Sequence, residues 1–144
     1  MASNPIKRDD ILEIYVDGAS RGNPGPATWS FIFVKENQTI HQKSGYIGNA
    51  TNNTAEYNAI INSLQEVEKF TRWHVKVYSD SQLAIRQINK EYRIKKAHLS
   101  DLCDKIYNQR TKFEKVEFLH VGRNNPFIQK CDSLCNSCLN DKGF

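Results

Sequence analysis

Four acidic residues stand in settings where a small core does not place charge by preference. They are Asp17 in Val16-Asp17-Gly18, Glu56 in Asn52-Asn53-Thr54-Ala55-Glu56-Tyr57, Asp80 in Tyr78-Ser79-Asp80-Ser81, and Asp132 in Cys131-Asp132-Ser133-Leu134. Asp17 and Asp80 close apolar, strand-like runs, and a carboxylate there needs a partner. If the fold brings the four together, cations must relieve the repulsion. Hard oxygen donors of this kind suit Mg²⁺ or Mn²⁺. A carboxylate site that holds two such ions is suited to phosphodiester cleavage, which needs an activated water, charge neutralisation at phosphorus and help for the leaving oxygen.

The elements that must carry these residues are legible from periodicity. Ile11 to Val16 alternates and is rich in β-branched and aromatic residues, so it reads as a strand ending at Asp17-Gly18. Arg21-Gly22-Asn23-Pro24-Gly25-Pro26 is a dense turn signal. Trp29 to Val34 and Thr39 to Ile47 form a hairpin around Glu36-Asn37-Gln38. Thr51 or Asn52 caps a helix bearing Ala55, Ala59, Ile60, Ser63, Leu64 and Val67 on one face. Trp73 to Tyr78 is a fourth strand. A short helix with Leu83, Ile85 and Ile88 follows, then a longer one with Leu99, Leu102, Cys103, Ile106 and Tyr107. Val116 to Val121 is the fifth strand, and a last helix runs from about Phe127 to Leu139.

The resulting order, βββαβααβα, predicts an α/β fold. Its five-stranded mixed sheet has three antiparallel strands, then parallel ones reached by helical crossovers, with helices on its faces. Functional residues of such sheets gather at the carboxyl ends of the parallel strands, where Asp17 and Asp80 are expected.

Composition bounds the rest. The chain has 144 residues, 39% hydrophobic and 25% charged, which fits one soluble globular domain. Residues 1–10 read as a flexible tail, 11–140 as the domain and 141–144 as a short tail. No apolar run approaches the roughly 20 residues of a membrane span, and the polar start lacks the apolar stretch of a signal peptide. The expected setting is cytoplasmic with no membrane partner, so the N-x-[ST] patterns at Asn37, Asn49 and Asn52 are chance matches. The net charge of +4 permits contact with a polyanion without requiring it. Lys90, Arg93, Lys95 and Lys96 concentrate that charge locally. Cys135-x-x-Cys138 is half a zinc pattern without its second half, so a reduced, partly buried helix face is the simpler reading for Cys131, Cys135 and Cys138.

Taken together, these stretches make the chain resemble ribonuclease H of type 1. The matching segments are Asp17-Gly18-Ala19-Ser20-Arg21-Gly22-Asn23-Pro24-Gly25-Pro26, Thr51-Asn52-Asn53-Thr54-Ala55-Glu56, Ser79-Asp80-Ser81-Gln82 and Cys131-Asp132-Ser133-Leu134, and the likeness runs from about Ile11 to Leu139. The resemblance implies a ribonuclease H-like fold and a metal-dependent endoribonuclease. Such an enzyme cleaves the RNA strand of RNA/DNA hybrids with two divalent ions, leaving 5′-phosphate and 3′-hydroxyl ends. It implies Asp17, Glu56, Asp80 and Asp132 as the metal-binding acids, with Gly18 beside them at the metal site. Asp17 would sit between the ions, Asp80 and Glu56 would complete one, and Asp132 would help hold the other. It places Ser20, Asn23, Asn52, Asn53 and Gln82 against the minor groove, where amides and hydroxyls can meet ribose 2′-OH groups without reading sequence. Thr51 would hold a phosphate of the DNA strand.

The chain also departs from the family pattern. Many members carry a His in the loop before the last acid. Here that loop is His120-Val121-Gly122-Arg123-Asn124-Asn125-Pro126, where His120 falls early and Arg123 is the better placed substitute for contacting phosphate. The long basic protrusion of some members is missing between Ile88 and Leu99, and Lys90, Arg93, Lys95 and Lys96 partly replace it. A separate hybrid-binding domain is not expected; a small protein acting as a monomer is. The rival readings are a resolvase or strand-transfer nuclease on the same scaffold, a non-catalytic nucleic-acid-binding module, and a domain of a reverse transcriptase.

Overall fold

The computed structural model describes residues 6–144. They form β1 (Ile11–Ser20), β2 (Gly25–Lys35), β3 (Gln38–Ala50), α1 (Asn52–Val67), β4 (His74–Ser79), α2 (Gln82–Ile88), α3 (Ala97–Arg110), β5 (Lys115–His120) and α4 (Pro126–Asp141). The sheet order is β3-β2-β1-β4-β5. Strands β1, β2 and β3 pair antiparallel, and β1, β4 and β5 pair parallel. This is the βββαβααβα order and the mixed sheet anticipated from the sequence.

Alternation along β1 splits the interior in two. Leu12, Ile14 and Val16 face the larger core, which Tyr57, Ile60 and Leu64 of α1 and Leu99, Cys103 and Ile106 of α3 close. Tyr15 faces the smaller core under α4, with Ile32, Val34, Ile128 and Cys131. Buried hydroxyls help seat α4. Ser30 Oγ donates to the Cys131 carbonyl at 2.7 Å, and Thr28 Oγ1 to the Cys135 carbonyl at 3.1 Å. Cys103, Cys131 and Cys135 are buried, Cys138 is half-buried, and all four are free thiols. Burial pushes the Cys135 thiol up to about 12, which suits a packing residue rather than a reactive one.

Three expectations about extents need correction. The first strand does not stop at Asp17, because antiparallel pairing with β2 carries on through Asp17↔Ser30, Gly18↔Trp29, Ala19↔Thr28 and Ser20↔Ala27. Strand pairing outweighs the turn-forming composition there. The hairpin turn is Glu36-Asn37 alone, with φ of 50° and 64°, a left-handed pair that suits the twist of two-residue hairpins, and Gln38 already lies in β3. Leu83, read as part of the apolar face of the short helix, is exposed, and Ala84 is buried instead.

Residues of the two expected tails make the following contacts where they are described. Ile6 packs against the larger core, Arg8 pairs with Glu114 at 2.7 Å and lies over the Trp73 ring, and Asp10 accepts the Lys7 amide at 2.8 Å. Residues 1–5 of that expected tail lie outside the described residues. At the other end, the Phe144 amide donates to the Leu139 carbonyl at 3.0 Å and its ring stacks on Tyr46 at 5.7 Å.

Candidate active site

The parallel ladder between β1 and β4 ends at Tyr15↔Tyr78, after which the two strands part. Asp17 lies two residues beyond that last pair on β1, and Asp80 two residues beyond it on β4. The first turns of α1 fill the fork between them and bring in Glu56. Oxygens of Asp17, Glu56 and Asp80 all lie within 4.8 Å of one another. Asp132 approaches from α4 and lines the same cleft, but it stands at the exposed rim, outside that close group.

Glu56 is held at both oxygens. The Gly18 amide donates to Oε1 at 3.0 Å, and the buried Ser79 hydroxyl donates to Oε2 at 3.1 Å. Ser79 Oγ in turn accepts the Ser81 amide at 3.0 Å, which fixes the turn that carries Asp80. Gly18 is required by packing. A Cβ there would stand 2.3 Å from the Ala55 carbonyl carbon and 2.4 Å from the Glu56 nitrogen. The position a Gly18 side chain would occupy is filled by the backbone of α1.

Burial dominates the electrostatics. It pushes the Asp17 carboxyl up to about 7, with the charges of Asp80 and Asp132 adding to the rise and hydrogen bonds from Glu56 and the Gly18 amide opposing it. Glu56 is raised well above the carboxylate range, first by burial and then by Asp17. Asp80 is also raised by burial, against the pull of Arg123. Arg123 Nε stands 3.7 Å from Asp80 Oδ2 with its side chain 91% exposed, so it neutralises little. Burial and the proximity of the two carboxyls thus favour the protonated forms of Asp17 and Glu56. A compact set of hard oxygen donors that, among the described residues, no buried cation relieves fits a divalent metal ion.

The cleft has a volume of about 550 Å³ and is lined by both halves of the expected set: Asp17, Gly18, Glu56, Asp80 and Asp132 with Ser20, Asn52, Asn53 and Arg123. Asn23, Thr51 and Gln82 are not among its lining residues. Asn23 acts from behind, its Oδ1 accepting the Asn52 amide at 3.0 Å, while Asn52 Oδ1 accepts the Ser20 amide at 2.9 Å. The Ser20 hydroxyl donates to the Ala50 carbonyl at 2.7 Å. Thr51 is the N-cap of α1, with its hydroxyl accepting the Thr54 amide at 3.2 Å, so its side chain is engaged within the protein. Gln82 is exposed at the start of α2. His120, at the end of β5, is exposed as well.

The sequence offers Ser81 or Asp80 as the cap of the short helix, and Ser81 takes that role, but the reading missed Ser79, Gln129 and the place of Ser81 in the cleft. Ser81 caps α2 and, with Gln129, lines the cleft; Ser79 bonds Glu56 from beneath. A serine flanking each side of Asp80 was the available signal. Their hydroxyl directions depend on the tertiary fold.

A mixed β3-β2-β1-β4-β5 sheet with carboxylates clustered where its parallel strands part is a ribonuclease H-like fold whose acidic group could hold a divalent cation. The RNase H family profile matches residues 9–135. A ribonuclease HI of Halobacterium salinarum is 34% identical over 135 residues, covering 93% of this chain and 67% of that protein. A ribonuclease H of Chlorobium phaeovibrioides is 31% identical, covering 91% of this chain and 97% of that one. The structure of LC11-RNase H1 in complex with an RNA/DNA hybrid superposes with a TM-score of 0.86 at 32% identity, covering 92% of this chain and 99% of that one. The matched stretch of a bifunctional Mycobacterium tuberculosis protein is 32% identical and spans only 31% of that longer chain. The chain belongs to the RNase H family, a family of divalent-metal-dependent hydrolases.

Proposed function

We propose that this chain is an endoribonuclease that hydrolyses the RNA strand of RNA/DNA hybrids and leaves 5′-phosphate and 3′-hydroxyl ends. The observation that carries this reading is the carboxylate group of buried Asp17 and Glu56 with half-buried Asp80, at the floor of a cleft also lined by amides and hydroxyls. Asp17, Glu56, Asp80 and Asp132 hold two divalent ions, Mg²⁺ or Mn²⁺, with Gly18 beside them. When bound, the ions supply an activated attacking group and neutralise charge at phosphorus and on the leaving oxygen.

The protein's own part is positioning. Gly18 and Ser79 fix both oxygens of Glu56, so that carboxylate would need little rearrangement to receive a cation. Ser20, Asn52 and Asn53 form one hydrogen-bonding wall facing the minor groove, and Asn23 braces Asn52 from behind. Short polar groups at that wall meet 2′-OH groups on one strand and their absence on the other, which selects a hybrid without reading its bases. Arg123 supplies a mobile positive charge to the phosphate at the open side. Gln82 and Thr51 belong to the outer footprint, Thr51 with the Asn53 amide at the N-terminus of α1 meeting a phosphate of the DNA strand.

The protein works as a monomer in the cytoplasm, a setting that suits its four free thiols. Among the described residues, no helix is long and apolar enough to cross a membrane. The test compares an RNA/DNA hybrid, a double-stranded RNA and a four-way DNA junction, with Mg²⁺, Mn²⁺ or chelator. Internal cuts in the RNA of the hybrid alone, abolished by chelator, are expected. Preferential cutting of the junction would replace this reading with a resolvase.

A further inference from the structure

Asp132 is the least restrained of the four acids. It is exposed, and its carboxylate has neither the amide nor the buried hydroxyl that hold Glu56. Among the described residues, the one side chain hydrogen-bonded to it is Asn136, one helical turn along α4. Asn136 Nδ2 donates to Asp132 Oδ2 at 3.3 Å and to the Asp132 carbonyl at 3.1 Å. The other end of the same amide is also engaged: Arg21 Nη2 donates to Asn136 Oδ1 at 3.3 Å and to the Asn136 carbonyl at 3.4 Å. Arg21 Nη1 donates to the main-chain oxygen of Phe144, whose ring stacks on Tyr46. The Arg21 amide is anchored to the Pro26 carbonyl at 2.9 Å, across the base of the β1–β2 loop.

An amide between a guanidinium and a carboxylate has one stable orientation, because its oxygen must face the cation and its NH₂ group the anion. We propose that Asn136 is a positioning residue for Asp132. Arg21 locks the Asn136 amide so that its NH₂ group restrains the outermost carboxylate, which would help hold a cation. This rests on the ribonuclease H reading of the site and adds a link to it. Arg21 immediately follows Ser20 on the cleft wall, so the loop beside the substrate and the exposed acid share one brace. A restraint outside the ligand shell acts on metal affinity more than on substrate affinity.

The experiment measures Mn²⁺ binding to the hybrid-free protein by calorimetry. It also measures the Mg²⁺ concentration giving half-maximal cleavage, and the hybrid Kd in chelator. Asn136→Ala is expected to weaken the looser Mn²⁺ site and to raise the half-maximal Mg²⁺ concentration about tenfold. Saturating Mg²⁺ should largely restore the rate, and the hybrid Kd should be unchanged. Asn136→Gln, which keeps both ends of the amide, should recover most of the effect, and Arg21→Ala should give an intermediate loss. Thermal melts with chelator show whether each variant is folded, and the Gln variant supplies the comparison if the Ala variant is not. Identical Mn²⁺ isotherms and Mg²⁺ dependence in wild type and Asn136→Ala would overturn the brace while leaving the nuclease reading intact. A wild-type protein that binds Mn²⁺ more tightly than Asn136→Ala but cuts no hybrid would keep the brace and sink the nuclease reading.

Discussion

The Gly18 amide reaches Glu56 Oε1 at 3.0 Å across a contact so close that a methyl group on Gly18 would stand 2.3 Å from the Ala55 carbonyl carbon. One glycine thus sets the distance between the strand that carries Asp17 and the helix that carries Glu56. Gly18→Ala must push β1 and α1 apart, because backbone on both sides leaves no flexible atom to yield. The expected cost is about 1–3 kcal/mol of stability, the range for overpacking. Cleavage should fall by more than the unfolded fraction explains. Denaturant midpoints and rates measured on the same preparation check this; a variant of wild-type stability would show that the two elements are less tightly joined.

Asp17 couples the site to pH. Burial lifts its carboxyl from the ordinary value of 3.8 to about 7 in the folded state. Between those values the folded state binds more protons than the unfolded one, so this group's contribution to stability is fully present below about pH 4 and is lost as pH rises to about 7. With chelator present, the melting temperature should therefore fall from pH 5 to pH 8. Mg²⁺ should reverse the fall, and Asp17→Asn should flatten it, with a gain of about 1–3 kcal/mol at pH 8. Metal affinity should rise with pH over the same interval, because binding displaces the proton. A metal-free melting temperature that rises from pH 5 to pH 8 would contradict the assignment.

Ser79 lies beneath the site and has a measurable share in it. Its hydroxyl donates to Glu56 and accepts from Ser81, so Ser79→Ala leaves a buried acceptor and a donor unpaired. The expected loss is about 1–3 kcal/mol of stability. A drop of about tenfold in activity at limiting Mg²⁺ should accompany it. Ser79→Thr and Ser79→Cys, which differ in bulk and donor strength, separate the hydroxyl's role from simple packing. The kinetic measurement is the half-maximal Mg²⁺ concentration.

The basic stretch after α2 should act on binding alone. Lys90, Arg93, Lys95 and Lys96 lie away from the carboxylates, and none lines the acidic cleft. Arg93→Ala with Lys96→Ala is expected to weaken hybrid binding, to lower the slope of log K against log salt by about 1–2, and to leave kcat unchanged. Fluorescence anisotropy across a salt series reads the slope. A loss of kcat with an unchanged slope would place these residues in the chemistry instead.

Much of this was legible in the sequence for physical reasons. Alternation in Ile11 to Val16 and helical spacing from Ala55 to Val67 follow directly from which side must face the core, and they located Asp17 and Glu56. What escaped was what depends on distant backbone. The continuation of β1 past Asp17 is decided by its pairing with Trp29, Thr28 and Ala27, which outweighs local turn composition. The reason for Gly18 lies 38 residues away in α1. Thr51 could be read as a cap or as a phosphate contact, and its hydroxyl is taken by the cap. Asn136 was within reach, since i,i+4 amide–carboxylate pairs on a helix face interact, and Asp132 and Asn136 are such a pair.

The central claim is that a buried carboxylate cluster led by Asp17 cuts one strand of a hybrid. Its most direct test is single-turnover cleavage of an RNA/DNA hybrid labelled on each strand, with wild-type protein and Asp17→Asn side by side in Mg²⁺, and hybrid affinity measured for both. The prediction is internal cutting of RNA alone by the wild type, and no cutting by a variant that still binds the hybrid. Equal rates for the two proteins, or cutting of the DNA strand, would contradict it.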